Sequence, residues 1–419
     1  MTKPDDGATA QAAPAEGWLR CLDAAARVPA AELRARLAAF QRRLQERGLA
    51  AALVRQNADL YYLAGTVQDS FLWVPCEGEA RLFTARVPAR ARAESALPVV
   101  AVDGLDGFVA ALRERHGEPP RRLGLELDVL PVRHCRRLLA ALGEPEAEDV
   151  GRDLVRQRAV KSPWEVERVR AAAALADAVW ERAADLFEAG LSEAAFAGRV
   201  EAEARALGHE GVIRMRGFNQ EMFYGQLLVG VSGTVPSFLD TPLAGPGLSP
   251  AVAQGVSMRP VGRDEPVLFD FVAVRHGYIA DFTRMLVAGE APAAVRRAYD
   301  VARRVQAAAG AAARPGASCA AVWEAARAVA DEAGLGRHFM GYGETRVPYV
   351  GHGVGLELDE LPVLTGSRFE LREGMVFALE PKFVLPGLGA VGIENTWLVT
   401  ADGPEPLTVA DEALRCVAP

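Results

Sequence analysis

Two apolar, β-prone runs, each carrying one aspartate, flank Arg275-His276 in the segment PVLFDFVAVRHGYIADFTRML (266–286). This is the pattern of a β-hairpin, and the register of a hairpin decides where its side chains point. With Arg275-His276 as the turn, Val274 pairs with Gly277 and Asp270 with Asp281. Directly opposed residues share one face of the sheet, with Cβ atoms roughly 5 Å apart. Two carboxylates so placed among Phe269, Phe271 and Ile279 repel one another in a water-poor setting. Such a pair persists where a cation lies between the acids or where one keeps its proton. A divalent metal is the simpler reading.

A second segment repeats the device. MVFALEPKF and GAVGIENTWLVT flank a loop centred on Gly387, with Glu380 seven residues before that centre and Glu394 seven after it. A hairpin here again opposes two acids on one face. Both runs are otherwise strongly apolar, so buried acids in them need partners; solvated acids on an edge strand are the alternative. A fifth group is His352, held between Gly351 and Gly353 in VPYVGHGVGLELDELP (347–362). Four carboxylates and one imidazole suit two divalent ions, with Mn²⁺, Co²⁺, Fe²⁺ or Zn²⁺ favoured by an oxygen-rich set containing one nitrogen. Two such ions can share and activate a water for hydrolysis of an amide-like bond.

The rest of the chain sets limits. At 419 residues it is too long for one ordinary core, so two domains are expected. Its net charge of −8 gives no electrostatic reason to bind nucleic acid or an anionic membrane. No uncharged apolar run reaches the roughly 18 residues of a membrane span. The first residues, MTKPDDGATAQAAPAEG, lack the apolar centre of a secretion signal and read as a flexible tail over 1–17. Five scattered cysteines (Cys21, Cys76, Cys135, Cys319 and Cys416) form no CxxC pair; they read as reduced, buried thiols in a cytoplasmic protein.

Residues 18–157 alternate strands with helices: a helix over 17–48, strands at 50–54, 98–102 and 123–127, a hairpin around Cys76–Glu79, and helices near 105–116 and 131–142. That predicts a smaller N-terminal α/β domain with a structural or lid-like role. Ser162-Pro163-Trp164-Glu165 is a capping-box helix start and opens a second domain over 158–415. Helices are expected to Glu188 and over 192–207, 292–313 and 318–333, with strands between and after them. Strands and helices in separate runs predict an α+β fold.

At these residues the chain resembles the creatinase/aminopeptidase P/prolidase superfamily, the pita-bread metallopeptidases. The resemblance runs from about residue 30 to 410, through LAAALVRQNADLYYLAG, RAVKSPWEVERVRAAAALAD, FDFVAVRHGYIADFTR, GHGVGLELDELP, ALEP and GIEN. It implies metal-ligand roles for Asp270, Asp281, His352, Glu380 and Glu394, a proton-transfer role for Glu380, and a homodimer. Three positions depart from the superfamily pattern. Asp359 stands where a second histidine is usual, VGVSGTVPSFLDTPL carries no histidine, and Gly392 replaces an arginine. Asp359 is a candidate to hold a substrate ammonium group in place of the histidine.

The expected activity is dinuclear-metal hydrolysis of an N-terminal peptide bond in a small peptide, of the Xaa-Pro dipeptidase or aminopeptidase type. The alternatives are hydrolysis of a non-peptide C–N bond on the same fold, or a non-catalytic binding relative.

Overall fold

The computed structural model describes residues 27–188 and 190–417. The tail expected over 1–17, the start of the first expected helix and Cys21 lie outside the described residues. The chain forms two compact units, 1–151 and 152–419.

In the first unit, helix α1 (Ala30–Glu46) buries Leu33, Leu37, Phe40 and Leu44, the three- and four-residue spacing of one helical face. The chain continues through β1 (Ala51–Val54), α2 (Asn57–Ala64), β2 (Ser70–Pro75), β3 (Arg81–Thr84), α3 (Pro88–Glu94), β4 (Val99–Ala101), α4 (Gly104–His116), β5 (Arg122–Leu125), α5 (Val132–Ala141) and β6 (Glu146–Asp149). The strands build one mixed sheet in the order β4-β3-β2-β1-β5-β6. The helices α2 and α3 and the strand β6 were not among the expected elements. Each is eight residues or shorter, too short to show a period.

Helix α6 (Gly151–Arg158) precedes α7 (Pro163–Leu186), whose start carries the full capping box between Ser162 and Glu165 with Pro163 at its first position. Helix α8 (Glu193–Ala206) follows, then β7 (Gly225–Val229), β8 (Pro266–Arg275) and β9 (Tyr278–Ala288). Helices α9 (Ala293–Ala312) and α10 (Cys319–Glu332) lead to β10 (Tyr349–Gly353), β11 (Glu360–Thr365), β12 (Val376–Leu379), β13 (Lys382–Leu385), β14 (Gly389–Gly392), β15 (Asn395–Thr400), β16 (Gly403–Pro406) and β17 (Arg415–Val417). The strands form sheets in the orders β17-β9-β8-β7, β11-β10-β12-β15-β16 and β13-β14. This is the α+β, pita-bread arrangement. No helix among the described residues is long and apolar enough to cross a membrane.

Side chains alternate along β8 and β9, and the two faces have different work. Phe269, Phe271, Phe282 and Leu286 pack beneath α7 and α8, where the Trp180 ring lies 5.4 Å from that of Phe269. Leu268 and Met285 lie on the other face, in a second core with α9 and α10. Asp270, Val272, Asp281 and Thr283 share that second face.

Three expectations need correction. The turn of the β8–β9 hairpin is His276-Gly277, with φ of 54° and 77°, rather than Arg275-His276. A two-residue hairpin turn with both residues at positive φ favours glycine in second place, so Gly277 fixes the turn one residue later. The register therefore pairs Val272 with Asp281 and Asp270 with Thr283. Asp270 and Asp281 keep a common face but are diagonal neighbours, at a Cβ separation of about 7 Å rather than 5. The strands of the second acid hairpin are also interrupted, each being split at its glutamate. Pro381, with no N–H for a ladder bond, follows Glu380. Finally, of the cysteines only Cys319 is buried among the described residues; Cys76 and Cys135 are half-buried, and Cys416 is exposed.

Candidate metal centre

The β8–β9 hairpin supplies Asp270 and Asp281 to the centre. The β10 strand supplies His352, whose neighbours Gly351 and Gly353 are pressed against backbone: a Cβ on either would stand 2.1–2.2 Å from a carbonyl oxygen. Glu380 and Glu394 occupy the gaps between β12 and β13 and between β14 and β15. The pairs Leu379–Asn395 and Lys382–Gly392 bracket them in one continuous register, so these two acids face each other as the symmetric spacing about Gly387 implied. All five expected ligands converge. Asp270, Asp281, His352 and Glu380 line a cavity of about 220 Å³, with Met215, Met222, Val272, Leu358 and Val363 among its walls, and Glu394 is fully buried beside them.

Hydrogen bonds hold the donors in place. The Phe282 N–H donates to Asp281 Oδ1 at 2.9 Å, and the Thr283 hydroxyl donates to Glu394 Oε2 at 2.7 Å. His352 Nδ1 lies 3.2 Å from the Gly353 carbonyl oxygen. A carbonyl can only accept, so Nδ1 carries a proton and Nε2 is the ring nitrogen turned toward the acids. Nε2 stands 3.7 Å from Asp281 Oδ2 and 3.8 Å from Glu380 Oε1. Glu394 Oε1 is buried without a hydrogen-bond partner.

One participant escaped the sequence reading. Lys382, 2% exposed, places its Nζ 2.8 Å from Asp270 Oδ2, 2.8 Å from Glu380 Oε2 and 3.1 Å from Glu394 Oε2. An ammonium has three N–H donors, and each has a carboxylate here. Burial alone would lower the Lys382 pKa, but Asp270, Glu380 and Glu394 outweigh it and raise it well above the ordinary lysine value. Burial raises the Asp281 carboxyl well above its usual range, with the Glu394 and Asp270 carboxylates adding to the effect. Burial raises Asp270 as well, against the pull of Lys382. The signal for Lys382 was present in the sequence: two residues past Glu380 on an apolar strand, it shares that acid's side of the chain.

The donor set fits a divalent ion. One ligand atom each from Asp281, His352 and Glu394 lies within 4.8 Å of the others, and the buried, unpartnered Glu394 Oε1 is a donor that a cation would satisfy. The separations of 3.7 and 3.8 Å about Nε2 are close to those of two ligands on one ion, roughly 3–4 Å at bond lengths near 2.1 Å.

Asp359 lines the same cavity but is not among the converging donors. Its carboxylate accepts from the backbone N–H of Arg216 at 2.9 and 3.2 Å and of Gly217 at 3.1 Å, fixing the loop that carries Met215. Behind the His352 strand, buried Glu360 binds Arg158 at 2.5 Å and Lys161 at 3.0 Å.

Residues 36–160 match the creatinase/prolidase N-terminal domain. Probable dipeptidase PepE of Mycobacterium tuberculosis is 32% identical over 386 residues, 88% of this chain and 92% of that protein. Xaa-Pro dipeptidase of Lactobacillus delbrueckii is 27% identical, over 90% of this chain and 97% of its own length. Among solved structures, dipeptidase PepE from Mycobacterium ulcerans superposes with a TM-score of 0.76 at 28% identity, covering 94% of this chain and all of that one. Prolidase from Pyrococcus horikoshii also gives 0.76, at 25% identity, covering 91% of this chain and 99% of its own. Residues 167–401, more than half the sequence and the span that holds all five donors, match metallopeptidase family M24, and the chain belongs to that family.

Proposed function

We propose that this chain hydrolyses the N-terminal peptide bond of small peptides, with proline after the scissile bond, as its Xaa-Pro dipeptidase relatives are named to do. The observation that carries this is the convergence of Asp281, His352 and Glu394, with Asp281, His352 and Glu380 lining a cavity that has Val272, Leu358 and Val363 in its walls. A divalent ion held there would activate water and polarise the scissile carbonyl. The protein's own groups supply the remainder. In this reading Glu380, with one oxygen toward His352 and the other on Lys382, takes the proton from the attacking water and passes it to the leaving nitrogen. Val272, Leu358 and Val363 offer a dry wall for a proline ring. The ligand roles of Asp270, Asp281, His352, Glu380 and Glu394 belong to this reading.

Manganese, cobalt, zinc and iron all suit such donors, and the superfamily resemblance carries two ions. A homodimer and a cytoplasmic home are also part of the reading, the second supported by the unpaired thiols of Cys76, Cys135, Cys319 and Cys416. Sedimentation at several concentrations tests the dimer. Release of the N-terminal residue from an Xaa-Pro panel, in the presence of Mn²⁺ or Co²⁺, tests the activity. Absence of turnover with every metal would remove it.

One observation favours a second reading. Apart from Lys382 and His352, no described residue lining the cavity can carry a positive charge. Lys382 is already shared among carboxylates, so the free C-terminal carboxylate of a dipeptide has no obvious partner there. That favours longer peptides, or a neutral non-peptide C–N bond, over dipeptides. Tripeptides and N-acyl compounds assayed beside dipeptides separate these cases.

A further inference from the structure

We propose that Lys382 is a built-in substitute for one of two metal ions, so that the centre binds a single divalent ion at Asp281, His352, Glu380 and Glu394. This rests on reading those residues as metal ligands, but it concerns what the chain itself places among them.

The Lys382 ammonium lies between Asp270, Glu380 and Glu394 at hydrogen-bonding distance of all three. Every N–H of the ammonium is used, and Asp270 Oδ2 and one oxygen of each glutamate are taken. A second ion bridging toward Asp270 would have to occupy the same space and contend with a fixed positive charge a few ångströms away. The oxygens that Lys382 does not touch are on the other side: Glu380 Oε1 faces His352, and Glu394 Oε1 is buried without a partner. The cluster is thus divided into a half already met by the Lys382 ammonium and a half where His352 Nε2 faces carboxylate oxygens that Lys382 does not touch.

Charge points the same way: a second divalent ion would add two positive charges beside a buried ammonium that already meets three of the four carboxylates. The backbone makes room for the arrangement: Gly392 is paired directly with Lys382, and a Cβ there would stand 2.6 Å from Lys382 Cγ.

The test is metal stoichiometry, read without any substrate. Full-length protein is saturated with Mn²⁺, freed of excess and analysed for metal per chain, and its electron paramagnetic resonance spectrum is recorded. One ion per chain with an uncoupled six-line spectrum is expected. Lys382→Gly, checked for folding by circular dichroism, is expected to take two ions and show exchange coupling. Two ions in the unmodified protein would overturn the proposal while leaving the metal-centre reading intact. No ion at all would overturn both. A folded Lys382→Gly protein that still holds one ion would also overturn the proposal. Should that variant not fold, the unmodified protein's stoichiometry decides alone.

Discussion

Lys382 and Gly392 are directly opposed across the β13–β14 ladder, and the lysine stem runs through the space a side chain at 392 would fill. Gly392→Ala would place its Cβ within 3.0 Å of both Lys382 Cγ and the Pro381 carbonyl oxygen. Neither is the free end of a flexible side chain. We expect this substitution to destabilise the protein by about 1–3 kcal/mol, the usual range for overpacking. Denaturant unfolding measures it, and an unchanged midpoint would contradict the close approach.

Glu380→Gln tests the proton-transfer role. The amide oxygen can still accept from Lys382 Nζ, but it cannot hold a proton. Turnover should fall on the order of 100-fold or more while KM changes little. A variant with near-normal kcat would assign proton transfer elsewhere.

Asp359 has two readings that a conservative change separates. If it serves to hold the Arg216–Gly217 loop, Asp359→Asn should work nearly as well as the aspartate, because its amide oxygen still accepts backbone N–H groups. Asp359→Ala should raise KM across all substrates. If instead it binds a substrate ammonium, the asparagine variant should show raised KM only for substrates with a free N-terminus. Steady-state kinetics on free and N-acetylated peptides distinguish these results, and we expect the first.

Buried Glu360 makes stability depend on acid. Its burial would raise its pKa, but Arg158 and Lys161 outweigh that and hold it at about 2. The folded pKa is below the unfolded one, so the contribution is fully present above about pH 5. It disappears as pH falls from about 4.5 toward 2. The stability difference between the unmodified protein and Glu360→Gln should therefore shrink across that window. At neutral pH the variant leaves Lys161 with a neutral partner in place of a carboxylate, while Arg158 keeps Glu357 at 2.8 Å, and a loss on the order of 3 kcal/mol is expected. A difference constant from pH 7 to 3 would refute the assignment.

Metal removal should weaken the protein without unfolding it, because Lys382 remains among the acids. Saturating metal at about 100 times its Kd adds roughly 2.7 kcal/mol by mass action. Thermal unfolding with and without a chelator should show a shift of that order. Global unfolding on chelation would mean that Lys382 does little to offset the acids.

Much of this was legible in the sequence because the two hairpins carry their own measure of register. The symmetry of Glu380 and Glu394 about Gly387 located their facing positions correctly. The same counting misplaced Asp270 by two residues against Asp281, because it centred the turn on Arg275-His276 when the backbone needed Gly277 inside it. The four acids could be found from pattern, because isolated charged residues in apolar runs require partners, and His352 joined them through its place beside those acids and the superfamily resemblance. Lys382 was not found because attention to acids leaves the partner cation unspecified, and a lysine is ordinarily a solvated residue. Its neighbour across the ladder did leave a trace, since Gly392 stood out as a lost arginine. The hold of Asp359 on the backbone of Arg216 and Gly217 joins segments more than 140 residues apart, and no local pattern announces it.

The hairpin carrying Glu380 and Glu394 is clasped on both sides of the acids, by β12 with β15 and by β13 with β14. Its exposed tip at Pro386-Gly387 lies beyond that clasp, while Leu385 and Leu388 on either side pack against the core. Residues can be gained or lost at that tip over evolutionary time, or grafted there by design, while the two glutamates hold their station.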